Sequence, residues 1–199
     1  MDMRDRHPPD PSDRELLRAV RDDHEEWAFR LLYRRYTPRL CLFAVRTMGG
    51  DVPGAEDVVQ ETWIVACRRL ATFRGDAALS TWLTSICLNL CRNVLQKRNR
   101  WQETDWGEAR ETDAATDAAW MTSPEADVPT QIDLERAIER LPAGCRLILL
   151  LYDIEGWKHR EIATTLEISE GTSKSQLFLA RRQLRDSLRP STGVSHEQA

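Results

Sequence analysis

The chain has 199 residues, 41% of them hydrophobic, enough for one domain or two small ones with real cores, which excludes wholesale disorder. Its formal net charge of −4 excludes a protein that coats nucleic acid through charge alone.

In chain order, 1–12 is charged and proline-containing and reads as a disordered lead, neither signal peptide nor anchor. Asp13 to Val20 carries Leu16, Leu17 and Val20 at helical spacing. A longer helical pattern follows Asp22-Asp23, with Trp27, Leu31, Leu32, Tyr36, Leu40 and Phe43. Pro38 lies inside it and predicts a kink or break near Thr37. Gly49-Gly50 closes the segment. From Ala55 to Leu70 the pattern resumes, with Val58, Val59, Ile64, Val65 and Leu70 assigned to the apolar side and Asp57, Gln60 and Glu61 to the polar side. That polar side fits either a solvated face or a docking face. Phe73-Arg74-Gly75-Asp76 is a turn.

Leu79 to Gln96 reads as a helix with Leu79, Trp82, Leu83, Ile86 and Leu90 inward. On its outer side Asn89, Arg92, Asn93 and Gln96 recur at i, i+3, i+4 and i+7, with Arg100 one turn beyond. These side chains can pair with base edges or phosphates, although a solvated face fits the spacing equally well. Residues 101–130 break the pattern: eight acidic residues stand against one arginine, with no helical or strand period, as in a flexible acidic linker.

Ile132 to Leu141 resumes a helix, and Pro142 restarts the next at a position where proline is tolerated. Cys145 to Ile154 is strongly apolar, a buried scaffold ended by Gly156. Arg160 to Leu166 is a short helix, followed by a tight connection with Ser169 as N-cap, then a longer helix to Arg189. In that helix Leu177, Ala180, Leu184 and Leu188 form one stripe, and Lys174, Phe178, Arg181 and Arg185 a second, with Ser175 and Arg182 beside it. Short helix, brief turn and basic longer helix form a helix-turn-helix signature. Two packed helices with a solvated charged face would also fit, but Lys174 to Arg189 holds five basic residues and one acidic, which favours DNA.

The predicted fold class is therefore all-α: two small helical domains joined by a flexible acidic linker, with a polar tail over 190–199. Five cysteines form no CxxC pair, and Cys87 and Cys91, four apart, have no histidine cluster to complete a metal site. Buried reduced thiols are expected, with no metal and no cofactor. No apolar run approaches about 18 residues, so membrane insertion is not expected and a cytoplasmic location is. No phosphate loop or nucleophile motif points to an enzyme.

Two blocks together resemble one family, the bacterial RNA polymerase sigma factors of the extracytoplasmic-function type. The first runs through Ala28-Phe29, Leu32, Arg35-Tyr36, then Ala55 to Trp63, Phe73-Arg74-Gly75-Asp76, Thr81-Trp82-Leu83 and Asn89. The second is Leu141-Pro142 through Leu188, with Glu161-Ile162-Ala163 and Gly171 to Ser175. The resemblance implies sigma region 2 over 13–100, a linker over 101–130 and sigma region 4 over 131–189. It implies that Asp57, Val58, Gln60 and Glu61 dock on the clamp helices of the polymerase largest subunit, and that region 4 meets the flap. It implies that Trp82, Asn89, Arg92, Asn93 and Gln96 melt and read the −10 element of promoter DNA, Asn89 beside a flipped base. For the −35 element it implies Thr172, Lys174, Ser175, Gln176 and Phe178, with Arg181, Arg182 and Arg185 on phosphates.

The same resemblance implies an anti-sigma factor as a second partner and a linker whose negative charge mimics a nucleic-acid backbone inside polymerase channels. Three positions depart from the family pattern: Ser173 for a frequent valine, Leu179 for arginine, and His159 where tyrosine or serine is common. His159 reads as a surface or capping residue with no assigned role. A stand-alone helix-turn-helix regulator is the alternative to an initiation factor.

Overall fold

The computed structural model describes residues 11–97 and 130–188, and among these every regular element is helical. Expectations that fall on 1–10, 98–129 and 189–199, including Arg100 and the acidic stretch, lie outside the described residues. The described residues form two compact units, one on each side of that stretch.

The first unit holds four helices: α1 (Asp13–Asp22), α2 (Glu26–Thr47), α3 (Val52–Arg69) and α4 (Leu79–Lys97). α1 begins at a capping box. The Ser12 hydroxyl accepts from the Glu15 amide at 3.3 Å, and the Glu15 carboxylate accepts from the Ser12 amide at 2.8 Å. The Ser12 hydroxyl also donates to the Glu15 carboxylate at 2.7 Å, and this bond, together with that from the Ser12 amide, stabilises the ionised form and holds the Glu15 carboxyl below its usual range. Asp13 then ties α1 to α2, accepting from Arg35 at 2.6 Å and from the Tyr36 hydroxyl. α2 packs against α1, α3 and α4 and is the centre of the unit.

Pro38 does not break α2, which runs unbroken for 22 residues. The expected break is absent because Pro38 sits on the exposed side, where water can serve the carbonyl its missing N–H leaves open. Gly49 and Gly50 end the helix with φ of 69° and 88°, and the Gly50 amide reaches back to the Val45 carbonyl at 2.9 Å.

In α3 the buried face is Ala55, Val58, Val59, Thr62, Trp63 and Ala66. Ile64, expected on that face, is instead 45% exposed. At about 100° per residue it lies roughly 140° from Val59, on the other side of the helix. Thr62 and Trp63 take the inward places because their polar atoms find partners: Thr62 donates to the Val58 carbonyl at 2.7 Å, and the Trp63 indole donates to Thr37 Oγ1 at 3.0 Å. α4 buries Leu79, Leu83, Ile86, Cys87, Leu88, Cys91 and Leu95, while Leu90, expected inward, is only half-buried. The small thiols of Cys87 and Cys91 let α4 pack closely, and the hydrogen bond with Cys87, followed by burial, pushes the Cys91 thiol far up, away from its reactive form.

The second unit holds α5 (Gln131–Arg140), α6 (Ala143–Leu149), α7 (His159–Leu166) and α8 (Glu170–Ser187). Thr130 caps α5 in a box with Asp133. α6 passes into a π-helical turn, Leu150–Ile154, before Gly156 turns the chain with φ of 73°. Leu147 to Leu151 are all buried, whereas Ile154 at the end of the expected scaffold is 40% exposed. α8 packs against α5, α6 and α7 and buries Ser173, Gln176, Leu177 and Ala180. Leu184 and Leu188 continue the apolar stripe but remain half-exposed. Between α7 and α8, Glu167 turns the chain with φ of 59°, and Ser169 caps α8 by accepting from the Thr172 amide at 2.9 Å.

Candidate nucleic-acid interfaces

Three exposed faces carry the predicted residues. The first is on α3, where Asp57, Gln60 and Glu61 are all exposed. Val58, grouped with them by the family resemblance but placed on the apolar side by its spacing, is 3% exposed and belongs to the core. It is one residue from Asp57, about 100° round the helix, and cannot share the face. Ile64 can: it follows Asp57 by seven residues and Gln60 by four, placing an apolar side chain inside the polar stripe. The spacing carried that signal, but its apolar character assigned it to the core.

The second face is on α4. Asn89, Asn93 and Gln96 are exposed, while Arg92 is half-buried. Trp82 lies one stripe with them, seven residues before Asn89, so the face extends about 21 Å from Trp82 to Gln96 at 1.5 Å per residue. Trp82 is half-buried and rests on Phe73, with ring centroids 5.0 Å apart and planes tilted 42°. One ring face is thereby fixed by packing, a platform of the kind on which a base can stack.

The third face is the helix-turn-helix. Lys174, Phe178, Arg182 and Arg185 of α8 are exposed, Phe178 by 53%. Thr172 and Ser175 are half-buried at the start of the helix, and the Ser175 hydroxyl donates to the backbone carbonyls of Gly171 and Thr172, both at 3.1 Å. Gln176 departs from the reading. It is 4% exposed, and its amide oxygen accepts from the Cys145 thiol at 2.7 Å, so it joins α8 to α6 and cannot read a base. Burial raises the Cys145 pKa, which keeps the thiol protonated and able to donate. Arg181 departs in part. Its guanidinium grips Asp153 with Nη2 at 2.7 Å and Nε at 3.2 Å, and lies 5.7 Å from the Tyr152 ring centroid.

No spacing in the sequence points to that grouping. Tyr152 also stacks on His159, at 4.4 Å and 25°, and His159 Nδ1 shares a 2.9 Å hydrogen bond with the buried hydroxyl of Ser173. Two of the departures from the family pattern, His159 and Ser173, are therefore partners. A hydroxyl in the core is acceptable because the imidazole satisfies it.

Residues 32–101 match Sigma-70 region 2, and residues 131–184 match Sigma-70 region 4. The ECF RNA polymerase sigma-E factor of Escherichia coli (strain K12) is 33% identical over 187 residues, which span 90% of this chain and 95% of that protein. The chain belongs to the ECF RNA polymerase sigma factors. The sigma-E factor of Haemophilus influenzae is 29% identical, again over 90% of this sigma factor and 96% of its relative. Two solved structures share the fold. One is the sigma factor RpoE with the anti-sigma factor NepR from Bartonella quintana, with a TM-score of 0.57 and 24% identity, covering 80% of this chain and 96% of that one. The other is CnrH with the cytosolic domain of CnrY, with a TM-score of 0.53 and 22% identity, covering 86% and 94%. This sigma factor directs transcription initiation, which disfavours the stand-alone regulator.

Proposed function

We propose that this sigma factor carries bacterial core RNA polymerase to a dedicated promoter set through the three faces just described. The α3 face, with Asp57, Gln60, Glu61 and the apolar Ile64, docks on the clamp helices of the largest subunit, and the second unit meets the flap. The α4 face, with Trp82, Asn89, Arg92, Asn93 and Gln96, opens and reads the −10 element. Lys174, Phe178, Thr172 and Ser175 read the −35 element, and Arg182 and Arg185 hold its phosphates. The domains are region 2 over 13–100 and region 4 over 131–189, joined by the acidic stretch 101–130, whose charge mimics a nucleic-acid backbone in the polymerase.

The observation that supports this most is the segregation of chemistry: an acidic and amide face with an apolar centre on α3, an amide face with an aromatic platform on α4, and a basic face on α8. Docking needs a buried apolar anchor inside a polar rim, base reading needs amides and a ring, and phosphates need cations. The protein is not an enzyme; the polymerase supplies the chemistry. It acts in the cytoplasm, and among the described residues no helix is long and apolar enough to cross a membrane. Both solved relatives hold an anti-sigma factor or a partner's cytosolic domain, which supports an anti-sigma factor as the second partner here.

Run-off transcription with purified core polymerase on a pool of promoter fragments tests the reading. Specific transcripts should require the protein and should be lost with Asn89→Ala or Lys174→Ala. A factor that yields no transcript but retains a DNA fragment without polymerase would overturn it.

A further inference from the structure

Arg181 points along the outer side of α8, yet a carboxylate already fills its fork. The Asp153 contact uses two guanidinium nitrogens, at 2.7 and 3.2 Å, the planar two-point arrangement by which arginine also takes a phosphate. Asp153 therefore occupies Arg181 as a phosphate would. The partners are 37% and 32% exposed, so water and ions reach the pair and a stronger anion can exchange with it. The guanidinium is also fixed from beneath. It lies over Tyr152, Tyr152 stacks on His159, and His159 is bonded to Ser173, a residue with no exposed surface. Both ends of this stack rest on α8, at Ser173 and Arg181, about 12 Å apart along its axis. Asp153 sits on the π-helical turn that begins the stack.

We propose that Asp153 is a charge gate on nucleic-acid binding: its carboxylate competes with a backbone phosphate for Arg181 and lowers the affinity of α8 for DNA. With Asp153 in place, Arg181 adds no net charge to the face, and an approaching phosphate also meets the carboxylate. Lys174, Arg182 and Arg185, exposed on the same helix, bear the standing attraction. The stack holds Arg181 at a fixed place, so exchange of one anion for another needs no movement of the helix. This rests on the reading of α8 as a DNA face.

The test uses the full chain and a fluorescein-labelled random-sequence DNA duplex, with binding followed by anisotropy across a salt series. Asp153→Asn keeps the shape and removes the charge. It should tighten binding roughly two- to five-fold at low salt, the range that a partly exposed ion pair can withhold. The plot of log K against log salt should steepen by about 0.9, the contribution of one added phosphate contact. Asp153→Ser should behave alike, and Arg181→Ala placed in either background should remove the gain. Thermal melts of each variant check folding. Unchanged or weaker binding by both Asp153 variants, with Lys174→Ala still weakening it, overturns the gate alone. If Lys174→Ala and Arg182→Ala also leave binding unchanged, the DNA reading of α8 fails and the gate with it.

Discussion

Lys174 and Gln176 lie two residues apart on α8 and take opposite parts. About 200° of helical rotation separates them, which puts the ammonium in water and the amide against Cys145. Residue type alone marks both as candidate readers of DNA; their angle separates them, and the buried Cys145 thiol that donates to Gln176 holds it inward. Glu167 poses a different residue-scale problem. It adopts φ of 59° at the turn of the helix-turn-helix, a conformation that costs an L-residue about 1–2 kcal/mol and glycine little. Glycine's greater freedom in the unfolded chain cancels part of that relief. Glu167→Gly should therefore raise unfolding stability by no more than about 1 kcal/mol, read as a higher urea midpoint with unchanged slope. A lower midpoint would show that the strain is offset locally by contacts of the glutamate.

At the scale of elements, most helices were legible from the period of their apolar residues, and some also carry their own start chemistry. Ser12, Thr130 and Ser169 each cap the start of a helix, and the sequence pattern marks Ser169 as such a cap. Pro38 was the misleading signal. Its effect depends on which side of the helix it occupies, and a single sequence does not rank Pro38 against its neighbours for burial. Because α2 is already continuous, Pro38→Ala should restore a backbone hydrogen bond without moving the helix. A gain of about 1–3 kcal/mol is expected from the removed proline penalty, offset in part by a freer unfolded chain. Calorimetry would read it as a higher melting temperature; a loss would mean that the proline ring packs more usefully than its exposed position indicates.

At the scale of the molecule, the family and the all-helical architecture could be read from two separated blocks, because each preserves motif order and spacing over many residues. The sites were less legible. Exposed polar positions such as Asp57, Gln60, Glu61, Asn89 and Lys174 followed from periodicity, since one helical stripe is enough to locate them. Ile64 and Gln176 did not, because their chemistry points one way and their angle another; Val58 followed from periodicity as a core residue, and only the family resemblance grouped it with the docking residues. Ile64 carries the corresponding prediction. Ile64→Glu leaves the core untouched, so the melting temperature should shift by less than about 0.5 kcal/mol in equivalent stability. Binding to core polymerase, measured by pull-down or fluorescence, should fall at least ten-fold if an apolar anchor at the centre of the α3 face is lost. Retained binding with unchanged stability would place the docking contact elsewhere on the unit.

The π-helical turn Leu150–Ile154 also makes chain length a determinant of grip. Such a turn holds one residue more than an α-helical turn. Removing one residue there would let the helix close into ordinary α geometry. The residues on either side would keep nearly their directions, because the π turn and an α turn one residue shorter sweep almost the same rotation, while the residues inside the turn, Asp153 among them, would be displaced. Leu147 to Leu149 could stay in the core, and the helix-turn-helix could keep both its helices, while Asp153 and Arg181 lost their alignment. A lineage could thus exchange a restrained arginine for an unrestrained one by a single-codon deletion, altering neither residue.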